Sequence, residues 1–159
     1  LRDSFGDSGA IGFKFHKLFP EAGNLGIAAG WTNALDWGDA NDAQETVYGV
    51  VTKPFDLRPG TANPLPLTVT AGLGTGSFRS TGAIDAGSND PNFFGSVGLR
   101  VLPQLSLVNS WTGNQLNMGI SAAPFQDIPF TLTLGAGDVT NNRGNGVRFL
   151  MNGGFGFSF

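Results

Sequence analysis

The sequence predicts an all-β fold, an antiparallel up-and-down β-barrel that is built of repeated hairpins. Apolar side chains recur at every second position in about nine segments, which is the period of a strand rather than of a helix. Charged residues make up only 13% of the chain, about half of the usual share in a water-soluble domain. The chain has 25 glycines and many Thr, Ser and Asn residues, so that the second face of each strand carries small polar side chains. Such a face suits the inside of a small closed sheet.

The elements follow one another as hairpins, and no helix is predicted. Residues 1–10 are polar and read as an N-terminal loop, and residues 11–159 form the barrel. Clusters of Gly, Pro, Asn and Asp separate the alternating segments. The alternation predicts strands at 11–19, 25–35, 46–54, 66–78, 92–102, 105–112, 116–124, 130–139 and 146–159. These group into the hairpins 11–35, 46–78, 92–112 and 116–139, followed by the terminal strand 146–159.

The hairpins also resemble one another in sequence. The segment Pro66–Gly74 aligns without a gap with Pro129–Gly137, and the pattern from Leu25 to Trp31 recurs from Leu105 to Trp111. Duplication of hairpins is typical of antiparallel barrels, whereas a propeller would need repeats of about 40–50 residues with four strands in each. The repeats therefore favour a barrel.

The C-terminal stretch GVRFLMNGGFGFSF, residues 146–159, has aromatic residues at alternate positions and ends on Phe159. It resembles the C-terminal strand of bacterial outer-membrane β-barrel proteins. The resemblance implies a transmembrane barrel in the outer membrane of a Gram-negative-type bacterium, with its apolar face in contact with the lipid bilayer. It also implies that Phe155, Phe157 and Phe159 are recognised by the outer-membrane assembly machinery.

The strand count conflicts with closure. An ordinary antiparallel bacterial barrel has an even number of strands, and nine is odd. The chain begins at Leu1 rather than at a methionine. We therefore expect an upstream segment or a second chain to complete the barrel, unless residues 1–10 hold a strand of their own.

Four basic residues are the best candidates for a functional role inside the barrel. The alternation assigns them to the polar, inward face, where a converging set would favour anionic solutes. Structural pairing inside a small barrel is an equally acceptable interpretation. The predicted lumen residues are Lys14, Lys53, Arg100 and Arg148. The single histidine, His16, is expected in the lumen or at an interface.

Two further sets lie at the outward ends of the strands. The acidic residues Asp36, Asp39, Asp42 and Glu45 follow one another at every third residue in one loop. Clustered oxygen ligands suit Ca²⁺, but the spacing is not that of an EF-hand, so a solvated surface loop is the competing interpretation. The second set consists of Trp31, Trp37 and Trp111. These residues predict an aromatic belt at the membrane interface, and core filling is the alternative interpretation.

Other classes are excluded or disfavoured by composition. The chain has no cysteine, so disulfides and zinc–thiolate sites are absent, and its net charge of −3 argues against nucleic acid as a partner. No nucleophile motif accompanies His16, so we expect neither an enzyme nor a cofactor. The sequence predicts porin-like passage of small solutes or a structural membrane role. The alternative is a secreted structural β-protein that self-associates, or binds a partner, through its apolar faces.

Overall fold

The computed structural model describes residues 8–38, 44–125 and 128–156. These residues form one sheet of nine strands, and a single short helix, α1, spans Thr81–Asp85. The strands are β1 (Gly9–Phe19), β2 (Leu25–Trp37), β3 (Thr46–Asp56), β4 (Pro66–Gly74), β5 (Asn92–Leu102), β6 (Leu105–Trp111), β7 (Leu116–Ala122), β8 (Phe130–Gly137) and β9 (Arg148–Phe155). The predicted all-β, antiparallel, up-and-down arrangement of nine strands is confirmed.

The sheet is open, in contrast to the predicted barrel. Each strand pairs only with its neighbours in sequence, in the order β1 to β9, and every pair is antiparallel. Because direction alternates at each step, β1 and β9 run the same way. A direct β1–β9 contact would therefore be a parallel pair, which differs from every other pair in the sheet. Both outer edges keep unpaired backbone groups within the described part of the chain.

Two predictions about the segment that follows residue 74 are wrong. The fourth strand was expected to continue to Phe78, but β4 ends at Gly74 and a 3₁₀ turn occupies Gly76–Phe78. The reason is backbone geometry, since Gly76 has φ +57°, outside the extended region of a strand. Helix was expected nowhere, yet α1 follows in the same connection. The side chain of Ser80 caps α1 by accepting a hydrogen bond from the Ala83 amide.

The register divides the sheet into two faces with different chemistry. Directly opposed residues of an antiparallel pair share a face, so each row of partners can be followed across the strands. One such row joins Phe55, Leu67, Leu99, Leu107, Ile120, Leu134 and Met151. We call this side the apolar face. The side chains of the other side are small and polar in a parallel row, and we call that side the polar face. This row joins Thr52, Thr70, Ser96, Ser110 and Asn117.

The sheet has no apolar core within the described residues. No hydrophobic side chain among them is buried, and Phe15 and Phe149 on the apolar face are 76% and 75% exposed. The few buried side chains among these residues are polar and lie at one end of the sheet: Thr46, Asn114 and Asp138. We call this the loop end; it holds the connections 38–45, 75–91, 112–115 and 138–147. The opposite, turn end holds 20–24, 57–65, 103–104 and 123–129.

Candidate functional site

The centre of the polar face carries two transverse rows of small polar side chains. In the first row, Thr52 and Thr70 share a hydrogen bond of 2.9 Å between their hydroxyls. In the second row, the Thr133 hydroxyl donates to Ser121 at 2.9 Å. Between the rows, the register opposes Gly119 to Gly135. Since two opposed glycines leave no side chains there, the polar face has hydrogen-bonding groups with open space between them.

At the loop end, an aromatic cluster covers part of the polar face. The ring of Phe78, from connection 75–91, stacks on Phe94 of β5 with 3.8 Å between ring centroids. Tyr48 of β3 meets the same two rings edge-on, at 5.9 Å from Phe78 and 6.2 Å from Phe94. Aromatic pairs in such geometries each contribute about 0.5–1.5 kcal/mol beyond area burial. The cluster therefore anchors connection 75–91 onto the polar face.

Hydrogen bonds between backbone groups and side chains fix the start of connection 75–91. The Gly76 amide donates to the Asn89 side-chain oxygen at 2.8 Å, and the Ser77 amide donates to the Thr46 hydroxyl at 2.9 Å. The side-chain amide of Asn92 donates to two carbonyls, those of Phe78 at 3.1 Å and Gly113 at 2.8 Å. Asn92 thus joins two neighbouring connections of the loop end.

Arg79 ties the same connection to its surroundings through three separate donors. Its Nε donates to the Gly76 carbonyl at 3.0 Å, and Nη1 to the Ser88 carbonyl at 3.0 Å. Nη2 donates to the Gln44 Oε1 atom at 2.7 Å. A guanidinium has five N–H donors in a rigid fork, and here they hold a loop in shape.

Asp138 organises the connection between β8 and β9. It is 1% exposed and has φ +55°, a conformation that Asp and Asn tolerate better than other side chains. Its carboxylate oxygens accept hydrogen bonds from the amides of Asn142 at 2.9 Å and Arg143 at 3.0 Å, while its own amide donates to Asn117 at 3.1 Å. Its carboxylate is therefore occupied by structural hydrogen bonds.

The four predicted lumen cations do not converge. Lys14 lies opposite Gly30 and Arg100 opposite Ser106, both on the polar face. Arg148, opposite Gly137, also lies there, but its Nη2 donates to the Gln115 Oε1 atom at 2.7 Å. Lys53 lies opposite Val69, on the apolar face, and its Nζ donates to the Ala22 carbonyl at 2.8 Å. His16 lines a groove together with Lys14 at the β1 edge.

The predicted acidic set is only partly described. Asp39 and Asp42 lie outside the described residues. Asp36 lies opposite Ala10, and the carboxylate of Glu45 accepts a hydrogen bond from the indole of Trp31 at 2.7 Å. Among the residues that the structure describes, no three His, Asp or Glu side chains group so as to hold a metal ion. The calcium hypothesis stays a prediction.

The described members of the two predicted aromatic sets are exposed or half-buried. Trp31 and Trp37 are 45% and 41% exposed and lie towards the loop end of β2, and Trp111 at the loop end of β6 is half-buried. Of the terminal aromatics, Phe155 is 64% exposed on the apolar face, whereas Phe157 and Phe159 lie outside the described residues. Their roles as an interfacial belt and an assembly signal stay predictions.

The aromatic cluster of Tyr48, Phe78 and Phe94 was not predicted from the sequence. Phe78 was predicted only as the last residue of the fourth strand, whereas in the structure it ends the 3₁₀ turn that follows β4 and its ring stacks on Phe94. The positive φ of Gly76 has one usable sequence signal, the closely spaced glycines at 72, 74 and 76.

No protein-family model matches the sequence, and no curated protein or solved structure is significantly similar to the chain. Among the residues described, no helix is both long enough and apolar enough to cross a membrane. The assignment of function therefore depends on the chemistry of the two faces.

Proposed function

We propose that this chain forms part of a transmembrane β-barrel of the bacterial outer membrane, with lipid against the apolar face and small solutes passing along the polar face. A solely structural membrane role is included in the proposal. The single observation that carries it is an extended sheet with large exposed apolar side chains and no apolar core among the described residues.

The apolar face would be unstable in contact with water. Contact between apolar surface and water costs about 25 cal/mol per Å² relative to an apolar environment. Soluble monomers rarely expose apolar patches larger than a few hundred Å². Here the apolar face extends over all nine strands, from Phe13 on β1 to Phe155 on β9. Lipid is an environment in which a face of this size is stable without a second protein layer.

Two lysines on the apolar face need an explanation under this proposal. Lys17 lies opposite Ile27 near the turn end, and its Nζ is 4.9 Å from the ring centroid of Phe19. The Nζ of Lys53 reaches the Ala22 carbonyl in the first turn. Long basic side chains extend in this way along apolar surface to place the charge near a polar boundary. Both lysines are therefore compatible with lipid contact if the turn end lies at the headgroup level.

The polar face has the composition expected of a lumen. One of its central rows consists of Thr, Ser and Asn side chains, and Lys14 and Arg100 lie elsewhere on the same face. Closure requires further strands, because β1 and β9 run in the same direction. An odd number of added strands, from a second chain or from a segment outside the described residues, would make every contact antiparallel. Insertion would depend on the outer-membrane assembly machinery through the aromatic C-terminal pattern.

A secreted structural β-protein that self-associates, or binds a partner, is the second candidate. It is favoured by one observation, the two unpaired sheet edges next to an exposed apolar face. Edges of this kind are templates for pairing with further chains.

The two candidates differ in their need for detergent. We expect the full-length protein to require detergent, to migrate differently on a gel before and after boiling, and to conduct ions after incorporation into a planar bilayer. Folded protein that inserts without conducting would assign the structural role. A folded, detergent-free oligomer or fibre would overturn the membrane proposal and support the secreted alternative.

A further inference from the structure

A groove of about 410 Å³ lies on the polar face beside Arg100, near the turn end. Arg100 lines this groove together with three residues that carry hydroxyl groups: Thr68, Ser106 and Ser121. The register explains this grouping, because Arg100 lies opposite Ser106 and Ser106 opposite Ser121. Adjacent strands are about 4.8 Å apart, so the hydroxyls lie one and two strand spacings from the Arg100 backbone.

Space at this point comes from Gly98. It lies opposite Thr68 and directly precedes Arg100 on the polar face of β5. A Cβ added to Gly98 would meet only the Leu107 carbonyl, at 4.0 Å, so the position in front of it is open. The groove is therefore lined by these hydrogen-bonding side chains, by the apolar residues Pro66 and Val108, and by the bare backbone of Gly98.

Two of the four predicted cations, Lys14 and Arg100, have donors that no other described residue engages, and of these two Arg100 lines a groove with three hydroxyl groups. Within residues 8–38, 44–125 and 128–156, no hydrogen bond or ion pair engages its guanidinium. Arg148 and Lys53 already donate to protein oxygens. The carboxylate nearest to Arg100 in register is Asp56, which lies opposite Pro66 on β3, two strands away. The two backbones are about 10 Å apart, and no ion pair between this carboxylate and the Arg100 guanidinium is present among the described residues.

We propose that the Arg100 groove binds the phosphate group of a small solute. A guanidinium fork donates two parallel hydrogen bonds to an oxyanion, and hydroxyls can donate to the remaining oxygens. Lys14 and His16 line a separate groove at the sheet edge and do not contribute. The inference names a solute class for the proposed passage and rests on that function only for its biological meaning, since binding can be measured on folded protein alone.

Binding is measured by isothermal titration of inorganic phosphate into the folded protein in a phosphate-free maltoside detergent. The parent protein is expected to bind saturably, and Arg100→Gln to lose at least tenfold in affinity. Arg100→Lys is expected to fall between them, because an ammonium lacks the fork. Removing one hydroxyl with Ser106→Ala is expected to cost about fivefold, the value of one hydrogen bond. Arg148→Gln and Lys14→Gln are charge-matched controls that should bind as the parent does.

Three outcomes overturn the proposed phosphate site. Absence of saturable binding by the parent protein would do so, and so would equal losses in Arg100→Gln and Arg148→Gln, which would indicate unspecific charge. A second arm titrates dispersed short-chain phosphatidylglycerol; binding of that lipid but not of inorganic phosphate would assign the groove to a headgroup instead. If Arg100→Gln does not fold, Ser106→Ala and Arg100→Lys decide the question. Phosphate binding without bilayer conductance would refute passage of solutes while leaving the site intact.

Discussion

A lysine at position 97 distinguishes lipid from water on the apolar face. Val97 is the central residue of β5, is 42% exposed, and lies between Val69 and Asn109 of the adjacent strands. A lysine on the lipid face of a barrel costs about 2–4 kcal/mol at the bilayer midplane. That corresponds to a loss of roughly 30- to 900-fold in the folding equilibrium. On a water-exposed surface the same change would stay within about 0.5 kcal/mol.

The matched control is Ser96→Lys, one residue away. Ser96 faces the opposite side, between Thr70 and Ser110, so that the charge would enter the polar face. Lys53 lies in the same transverse row as Val97, but its ammonium can reach the Ala22 carbonyl in the first turn. A lysine at position 97 has no such turn beside it, because β4 and β6 extend past this position in both directions. Urea titration of protein folded into phospholipid vesicles, followed by tryptophan fluorescence, gives both free energies. Equal stability of Val97→Lys and Ser96→Lys would refute lipid contact at this face.

Two substitutions test the loop end by urea unfolding. Asn92→Ala leaves the carbonyls of Phe78 and Gly113 without their shared donor and is expected to cost about 1–3 kcal/mol, whereas Asn92→Asp, which keeps the shape but removes the donor, should cost no less. An unchanged unfolding midpoint would show that the two connections are held by other contacts. Asp138→Ala is expected to cost about 1.5–3 kcal/mol or more, because two backbone amides lose a charged acceptor in a buried site; Asp138→Asn, which tolerates the same φ, should recover part of this. Equal losses in the two variants would assign the effect to the charge alone.

The strands were predictable because local signals decide them. β5 agrees with its prediction at both bounds, and β2, β3, β4, β6, β7 and β8 begin where the alternation resumes after a turn. Alternation and turn residues act within a few positions, so they can be read without a partner. The end of β4 could not be read in this way. Gly76 is buried against the Glu45 carbonyl, 2.0 Å from where a Cβ would lie, and Glu45 is remote in sequence.

The basic residues show a different limit. In β3, Val50 and Val51 are consecutive, so an apolar residue stands on each face and the alternation does not decide which face carries Lys53. The register settles it through Val69 on β4. β1 has no such ambiguity, because Phe13 and Phe15 mark one face and Lys14 lies on the other, as predicted. The sequence therefore assigns a residue to a face correctly only where the two alternating sets of side chains differ clearly in polarity.

The repeats lead to a related result about register. Both hairpins that align in sequence keep Leu67 and Phe130 on the apolar face. In the preceding strands, however, the matching residues Tyr48 and Met118 lie on opposite faces, because Tyr48 pairs with Gly74 whereas Met118 pairs with Ala136. A shift by one residue moves every side chain of a strand to the other face. β3 and β7 tolerate this difference because each carries small or apolar residues on both sides, and the sheet uses the freedom to place Tyr48 in the aromatic cluster at the loop end.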